Sequence, residues 1–338
     1  KPFLSVGWKF GDKDIILFNV NNFTTPDYEG RITLFVSTGS LELRNLFLND
    51  SGEYSVYILP YGERPEEGTT RLNVYVPVFS VVVTANNTDL VEFNSSVRLS
   101  CSASGSSLSF LWLNGSSEVT GSDRVQLADG GANLTILSVT RYDQGPFRCH
   151  VFNPISNGAS DPINLSVSYG PEKIDLRVSP SQEHYDEGSD ISLMCSAVSR
   201  PAALFHWFLN GDLLSDTGPE LRLINIQESQ SGNHSCQAFN SITLRYQTSQ
   251  PTVVSVLERI SGASITPSTK LPIERNSINL TCDAAGSVLT RKWMKDGKDL
   301  ITTNEIILYD NNRVLSFNSL NKLDSGEYSC TLSNPFSN

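Results

Sequence analysis

The stretch Asn49–Val56, "NDSGEYSV", decides how this chain is read, because it recurs. "DQGPFRC" at 143–149, "QSGNHSC" at 230–236 and "DSGEYSC" at 324–330 repeat its pattern, and each of those three ends on a cysteine where the first copy has Val56. Upstream of each copy stands a tryptophan: Trp8, Trp112, Trp207 and Trp293. In the last three copies it follows another cysteine by 11 or 12 residues. The six cysteines thus fall into widely spaced pairs, Cys101 with Cys149, Cys195 with Cys236 and Cys282 with Cys330, at separations of 48, 41 and 48 residues. In a chain of 338 residues this gives four repeats of a little under a hundred residues each.

Within each repeat the apolar residues recur with period two. "SVRLSCSA", "ISLMCSAV" and "INLTCDAA" alternate apolar and polar positions with the cysteine on the inward side, and "NLTILSV" (133–139) and "GTTRLNVYV" (68–76) alternate as well. Turn residues separate these runs every 8–12 residues, and no stretch has the period of an amphipathic helix. The expected fold is all-β, with each repeat a sandwich of short strands.

Composition narrows the function. The net charge of −11 and pI of about 4.9 argue against a nucleic-acid partner, since phosphate binding needs a basic face. No run of 18 apolar residues is present to span a membrane. With no initiator methionine and no signal peptide at its start, the sequence is read as a piece of a longer protein. None of the cysteines lies in a C-x-x-C pair, so zinc and thioredoxin-like readings find no support; the even count and wide spacing point to disulfides and an oxidising compartment. Sequons for N-linked glycans at Asn22, Asn49, Asn86, Asn94, Asn114, Asn133, Asn164, Asn233 and Asn279 agree with an extracellular protein, at the cell surface or secreted.

Paired cysteines, a tryptophan after the first and a tyrosine corner before the second together resemble the immunoglobulin signature. That resemblance implies that each disulfide joins strands B and F across two sheets, with the indole packed against it. Closing loops of 41–48 residues stabilises a domain by roughly 4 kcal/mol in the chain-entropy picture. Two corners depart from the pattern: Phe147 and His234 stand where tyrosine is expected, and His234 either keeps the corner hydrogen bond or is a satisfied core histidine. The domains are placed at 1–77, 78–169, 170–257 and 258–338, with strands A and B of the first and strand G of the fourth lying outside the sequence.

"NPISNGASDPINLSVSYGP" (153–171), "FNSITLRYQTSQPTVVSV" (239–256) and "SNPFSN" (333–338) resemble the domain ends of the carcinoembryonic-antigen-related cell adhesion molecules, with the hepatocyte cell adhesion molecules as near relatives. The resemblance implies four tandem immunoglobulin-like domains: a variable-like first domain without a disulfide, then three disulfide-bonded domains of the intermediate or constant (I/C2) type. It implies that Val56 sits inward in place of the sulfur, where a buried valine is worth about 1.5–3 kcal/mol. Ion pairs Arg31–Asp50 and Arg124–Asp143 are expected to close the bottoms of the first and second domains. It also implies binding through the sheet face of strands G, F, C, C′ and C″ in the first domain. By alternation, Tyr57 and Leu59 on strand F and Gly7 and Lys9 on strand C point outward; Tyr61 and Pro60 continue that surface, and Ile15, Ile16, Leu17 and Phe18 extend it. Lys9 departs from the family, where an aromatic residue usually follows the tryptophan.

No catalytic constellation is visible. The four histidines, His150, His184, His206 and His234, lie in or beside strands outside any nucleophile or metal motif. "HYDEGSD" (184–190) lacks the calcium-loop spacing and reads as a solvated turn before strand B. No cofactor is implied. The expected function is adhesion or recognition by protein–protein contact, with the protein itself or another surface protein as partner, N-linked glycans on the surface, and the first domain as the binding tip. The alternative is a homo-oligomeric extracellular filament built by strand donation or stacking, or an immune receptor or decoy.

Overall fold

The computed structural model describes residues 3–20 and 22–338, and all of its long elements are strands. There is no α-helix among the described residues, only single turns of 3-10 helix, and none is long and apolar enough to cross a membrane. The chain divides into two compact units, residues 1–167 and 168–338, each holding two of the sequence repeats.

In the first repeat, β1 (Phe3–Phe10), β2 (Lys13–Phe18), β3 (Phe23–Thr24), β6 (Gly52–Pro60) and β7 (Glu66–Leu72) form a five-stranded sheet in the order β3-β2-β1-β6-β7. The opposing layer is the hairpin of β4 (Ile32–Phe35) and β5 (Ser40–Leu43). Two strands cover only part of five. An apolar hollow of about 260 Å³, lined by Trp8, Leu41, Leu43, Leu46, Tyr54 and Leu72, remains between the layers. Val56 is half-buried rather than enclosed, while Val6, Ile15 and Tyr54 are at most 4% exposed.

In the second repeat, Val125–Ala128, Asn133–Ile136, Val97–Ser104 and Phe79–Ala85 make one sheet; Ser117–Glu118, Ser109–Asn114, Phe147–Asn153 and Ser156–Ala159 make the other. Leu99, Leu134, Val151 and Val167 meet between them with no exposed surface. The third repeat packs Leu193, Trp207, Ile226 and Val254 in the same way, and the fourth closes around Leu315 and Phe317.

The repeated cysteines and tryptophans sit at matching register. Trp112 is opposite Cys149, Trp207 opposite Cys236, Trp293 opposite Cys330, and Trp8 opposite Val56. The bonded pairs Cys101–Cys149, Cys195–Cys236 and Cys282–Cys330 have Cα separations of 6.2, 6.4 and 6.4 Å. Every indole N–H finds a carbonyl: Trp8 donates to Gly39 (2.9 Å), Trp112 to Gly131 (2.8 Å), Trp207 to Gly218 (3.0 Å) and Trp293 to Asn312 (2.7 Å). All four acceptors have positive φ, which is why three of them are glycines and the fourth an asparagine.

The stretch 184–190 is not a simple solvated turn. Tyr185–Asp186 form a short parallel bridge with Val256–Leu257, Tyr185 is buried, and its hydroxyl donates to the Pro180 carbonyl (2.9 Å). The alternation that suggested a strand over 68–76 also ends early, at Leu72.

Candidate protein-binding face

The outward face of the five-stranded sheet is set by the cross-strand register. One cross-strand row reads Leu17, Gly7, Tyr57, Glu67, and the next reads Asp14, Lys9, Ser55, Thr69. These residues surround a hollow of about 360 Å³. Its floor is Gly7: a Cβ there would lie 3.0 Å from Leu17 Cδ1, so any larger residue fills the hollow and displaces its wall. Lys9 Nζ lies 3.8 Å from Asp14 across the rim, with both side chains at least half exposed, so the pair contributes at most about 1 kcal/mol.

The expected surface is therefore corrected in part. Tyr57 (37% exposed), Tyr61 (68%) and Lys9 are exposed, but Leu59 and Pro60 are half-buried. Of the four residues on β2, only Leu17 lies on this face. Ile16 and Phe18 alternate to the inner side, and Ile15, at the register shift between the Trp8 and Lys9 pairings, is 1% exposed. Sequence reading missed Asp14, Ser55, Glu67 and Thr69. Period-two alternation from Tyr57 locates Ser55, but the pairing partners on β2 and β7 needed the register.

Below the face, Arg31 Nη2 donates to Asp50 Oδ2 at 2.5 Å. Asp50 is 3% exposed and also accepts from the Phe47 amide (2.7 Å), while the guanidinium lies 4.7 Å from the Phe47 ring centroid. In the second repeat Arg124 donates to Asp143 at 3.0 Å, and Thr140 donates to the same oxygen through its amide (2.7 Å) and hydroxyl (2.9 Å). Burial would raise the Asp143 pKa, but the bonds from Arg124 and Thr140 outweigh it and hold the carboxyl below its ordinary value. The same corner cap persists without an arginine in the third and fourth repeats, where Gln230 accepts from the Gln227 amide (3.0 Å) and Asp324 from the Asn321 amide (2.8 Å).

The corner residue itself varies. Tyr54 donates to the Asp50 carbonyl (2.9 Å) and Tyr328 to the Asp324 carbonyl (2.7 Å), four residues back in both cases. Phe147 packs at the same position, 1% exposed. His234 is 1% exposed, yet neither ring nitrogen has a hydrogen-bond partner of sound geometry, so the expectation of a satisfied histidine is corrected. Burial pushes its imidazole pKa below the ordinary value, against a smaller upward pull from the Gly232 backbone.

Among the sequon asparagines, Asn22, Asn49, Asn86, Asn94, Asn164 and Asn233 are exposed. Asn114, Asn133 and Asn279 are half-buried; Asn133 bonds Ser100 and Asp129, and Asn279 donates to the Tyr309 hydroxyl (3.1 Å). None lies on β1, β2, β6 or β7. No cluster of three or more metal-ligating side chains occurs among the described residues.

Models of a family described as "Immunoglobulin domain" match residues 77–153 and 262–334, and a second model of the same description matches 173–256. Murine CEACAM1b is 26% identical over 49% of this chain and 86% of its own, with a TM-score of 0.43. A chain from the complex of a mouse coronavirus receptor-binding domain with its murine receptor is 28% identical over 49% of this chain and 86% of its own (TM-score 0.41). The ectodomain of mouse nectin-like molecule 4 is 18% identical over 73% of this chain and 92% of its own (TM-score 0.44).

Proposed function

From the premise that the chain belongs to the immunoglobulin superfamily, we propose that it is an extracellular adhesion or recognition glycoprotein that binds a protein partner, a second copy of itself or another surface protein, through the outward face of its first repeat. One observation carries this reading. The face combines an exposed tyrosine, a glycine-floored hollow able to take a partner side chain, and four strands free of sequons, while seven of the nine sequons lie elsewhere in the same unit. Aromatic side chains beside a pocket are the usual anchors of protein interfaces, and glycans would obstruct them. The remaining repeats serve as a spacer that carries the face.

Sedimentation velocity on the intact glycosylated chain, paired with aggregation of beads coated with it, tests the proposal. Tyr57→Asp removes the anchor and Gly7→Leu fills the hollow. Each is expected to weaken self-association at least tenfold, consistent with anchor losses of about 2 kcal/mol. Self-association that survives both substitutions assigns adhesion to another surface. Absence of self-association, with Tyr57-dependent capture of a second immunoglobulin-fold protein, makes the partner heterophilic and leaves the face in place.

A further inference from the structure

Two segments that join one repeat to the next are gripped at alternate residues by the same three-part device. After β7, the Val74 amide donates to Ser51 Oγ of the first repeat (2.9 Å). Two residues on, the Val76 amide donates to Ser106 Oγ (2.8 Å) and its carbonyl accepts from Asn153 Nδ2 (2.8 Å), both in the second repeat. Two further on, the Val78 amide donates to Ser156 Oγ (2.8 Å). The other unit repeats this residue by residue. The Val256 amide donates to Ser231 Oγ (2.9 Å); the Glu258 amide donates to Ser287 Oγ (3.1 Å) while its carbonyl accepts from Asn334 Nδ2 (2.8 Å); and the Ile260 amide donates to Ser337 Oγ (2.7 Å).

The asparagine is the centre of each grip. Asn153 Nδ2 has a second acceptor, the Ser106 carbonyl (3.0 Å), and Oδ1 accepts from the Ile155 and Ser156 amides and the Ser156 hydroxyl. Asn334 matches it, with Nδ2 on the Ser287 carbonyl (2.8 Å) and Oδ1 accepting from Phe336, Ser337 and the Ser337 hydroxyl. Both amide hydrogens and the oxygen are used in each, in Asn153 at 9% exposure and in Asn334, which is half-buried. A third copy, Asn240, is fully buried and donates to the Tyr169 carbonyl (3.0 Å) and the Arg200 carbonyl (3.1 Å). There the residue two positions on is Pro171, which has no N–H to offer. The Thr243 hydroxyl donates instead to the Gly170 carbonyl (2.7 Å).

We infer that this clamp turns each gripped linker into a fixed strut, so that repeats 1 and 2 turn as one body, as do repeats 3 and 4, and that Asn153 and Asn334 are the positioning residues that fix the two junctions. The grip comes from both sides. Ser51 and Ser231 belong to the preceding repeats, the asparagine and its neighbouring hydroxyls to the following ones, and a single residue lies between successive contacts. A backbone segment whose polar groups are held at every second residue can hinge only by breaking those bonds. The sequence signature is an asparagine with serine or threonine three residues on: Asn153–Ser156, Asn240–Thr243 and Asn334–Ser337.

Asn153→Asp in the intact chain separates clamp from fold. It keeps the oxygen that caps the 153–156 turn but removes the donor and points a carboxylate at the Val76 and Ser106 carbonyls. Two readouts are needed: pulsed electron resonance distances between spin labels carried by non-natural residues at Asp12 and Gln126, and amide exchange. The expected result is a narrow distance distribution in the parent chain that broadens in the variant. The Val76 and Val78 amides should exchange roughly tenfold faster while Leu99 and Val151 in the core of repeat 2 stay unchanged. A parent distribution as broad as that of the variant, or a variant as narrow as the parent, overturns the proposal. So does acceleration of the core amides in step with the junction, which would make Asn153 a folding residue only.

Discussion

His234→Phe should remove a specific loss of stability in acid. His234 is 1% exposed and its ring nitrogens lack partners of sound geometry, so protonation inside the folded third repeat is opposed by burial and the folded pKa lies below the ordinary value of about 6.5. Above that value the imidazole is neutral in both the folded and the unfolded chain and the stability is fully present. As pH falls below it, the unfolded chain takes up a proton that the folded chain refuses. Stability then declines by up to about 1.4 kcal/mol per pH unit until the folded pKa is reached. The parent chain should therefore melt at a lower temperature at pH 5.5 than at pH 7.4, and the variant should lack that part of the fall. Phenylalanine is a fair replacement because Phe147 fills the same corner position in repeat 2, also 1% exposed. The sequon at Asn233 survives the change. Scanning calorimetry of the intact chain at the two pH values is the assay, and the difference between parent and variant cancels the background from His150, His184, His206 and the carboxylates. An equal acid shift of the third-repeat transition in parent and variant would falsify the reasoning, whatever the variant does to stability at pH 7.4.

Asp50→Ala strands the Phe47 amide and leaves Arg31 without its carboxylate, so repeat 1 should lose about 3–5 kcal/mol, read by urea unfolding. In repeat 2, the depressed pKa of Asp143 means its contribution is present above the unfolded carboxylate pKa and lost as pH falls through the lower folded value; Arg124→Met should flatten that acid limb. Replacing Cys195 and Cys236 together by alanine should destabilise repeat 3 by about 2–5 kcal/mol in urea while the Val97–Ser104 strand of repeat 2 keeps its amide protection.

Much of the architecture was legible because it rests on one-dimensional spacing. The tryptophans, the cysteine pairs and the corner motif each mark a position whose partner lies in the same repeat, and period-two alternation puts Tyr57 outward and Tyr54 inward. What escaped depends on register or on a partner far along the chain. The irregular pairing of β1 with β2 shifts Ile15 into the interior, which no alternation rule foresees. Glu92, 2% exposed, receives the Arg141 guanidinium at 2.6 and 2.8 Å and the Arg141 amide at 2.9 Å, a pairing 49 residues apart with no local signal. Leu59 falls on the outward parity yet is half-buried, because alternation gives the side of a sheet and says nothing of how neighbouring residues cover it. The motifs around Asn153 and Asn240 stood out only as a resemblance. Their work is done on the backbone of a preceding segment, which carries no matching side-chain pattern.

The pairing of each tryptophan with a residue of the following corner strand has an optical consequence. Disulfides quench an excited indole on contact by accepting its electron, and Trp112, Trp207 and Trp293 each lie opposite a bonded cysteine, whereas Trp8 faces Val56. The native emission of the whole chain should therefore come mainly from the first repeat. Light from one indole, beneath the proposed binding face, would report on that repeat without any label being added.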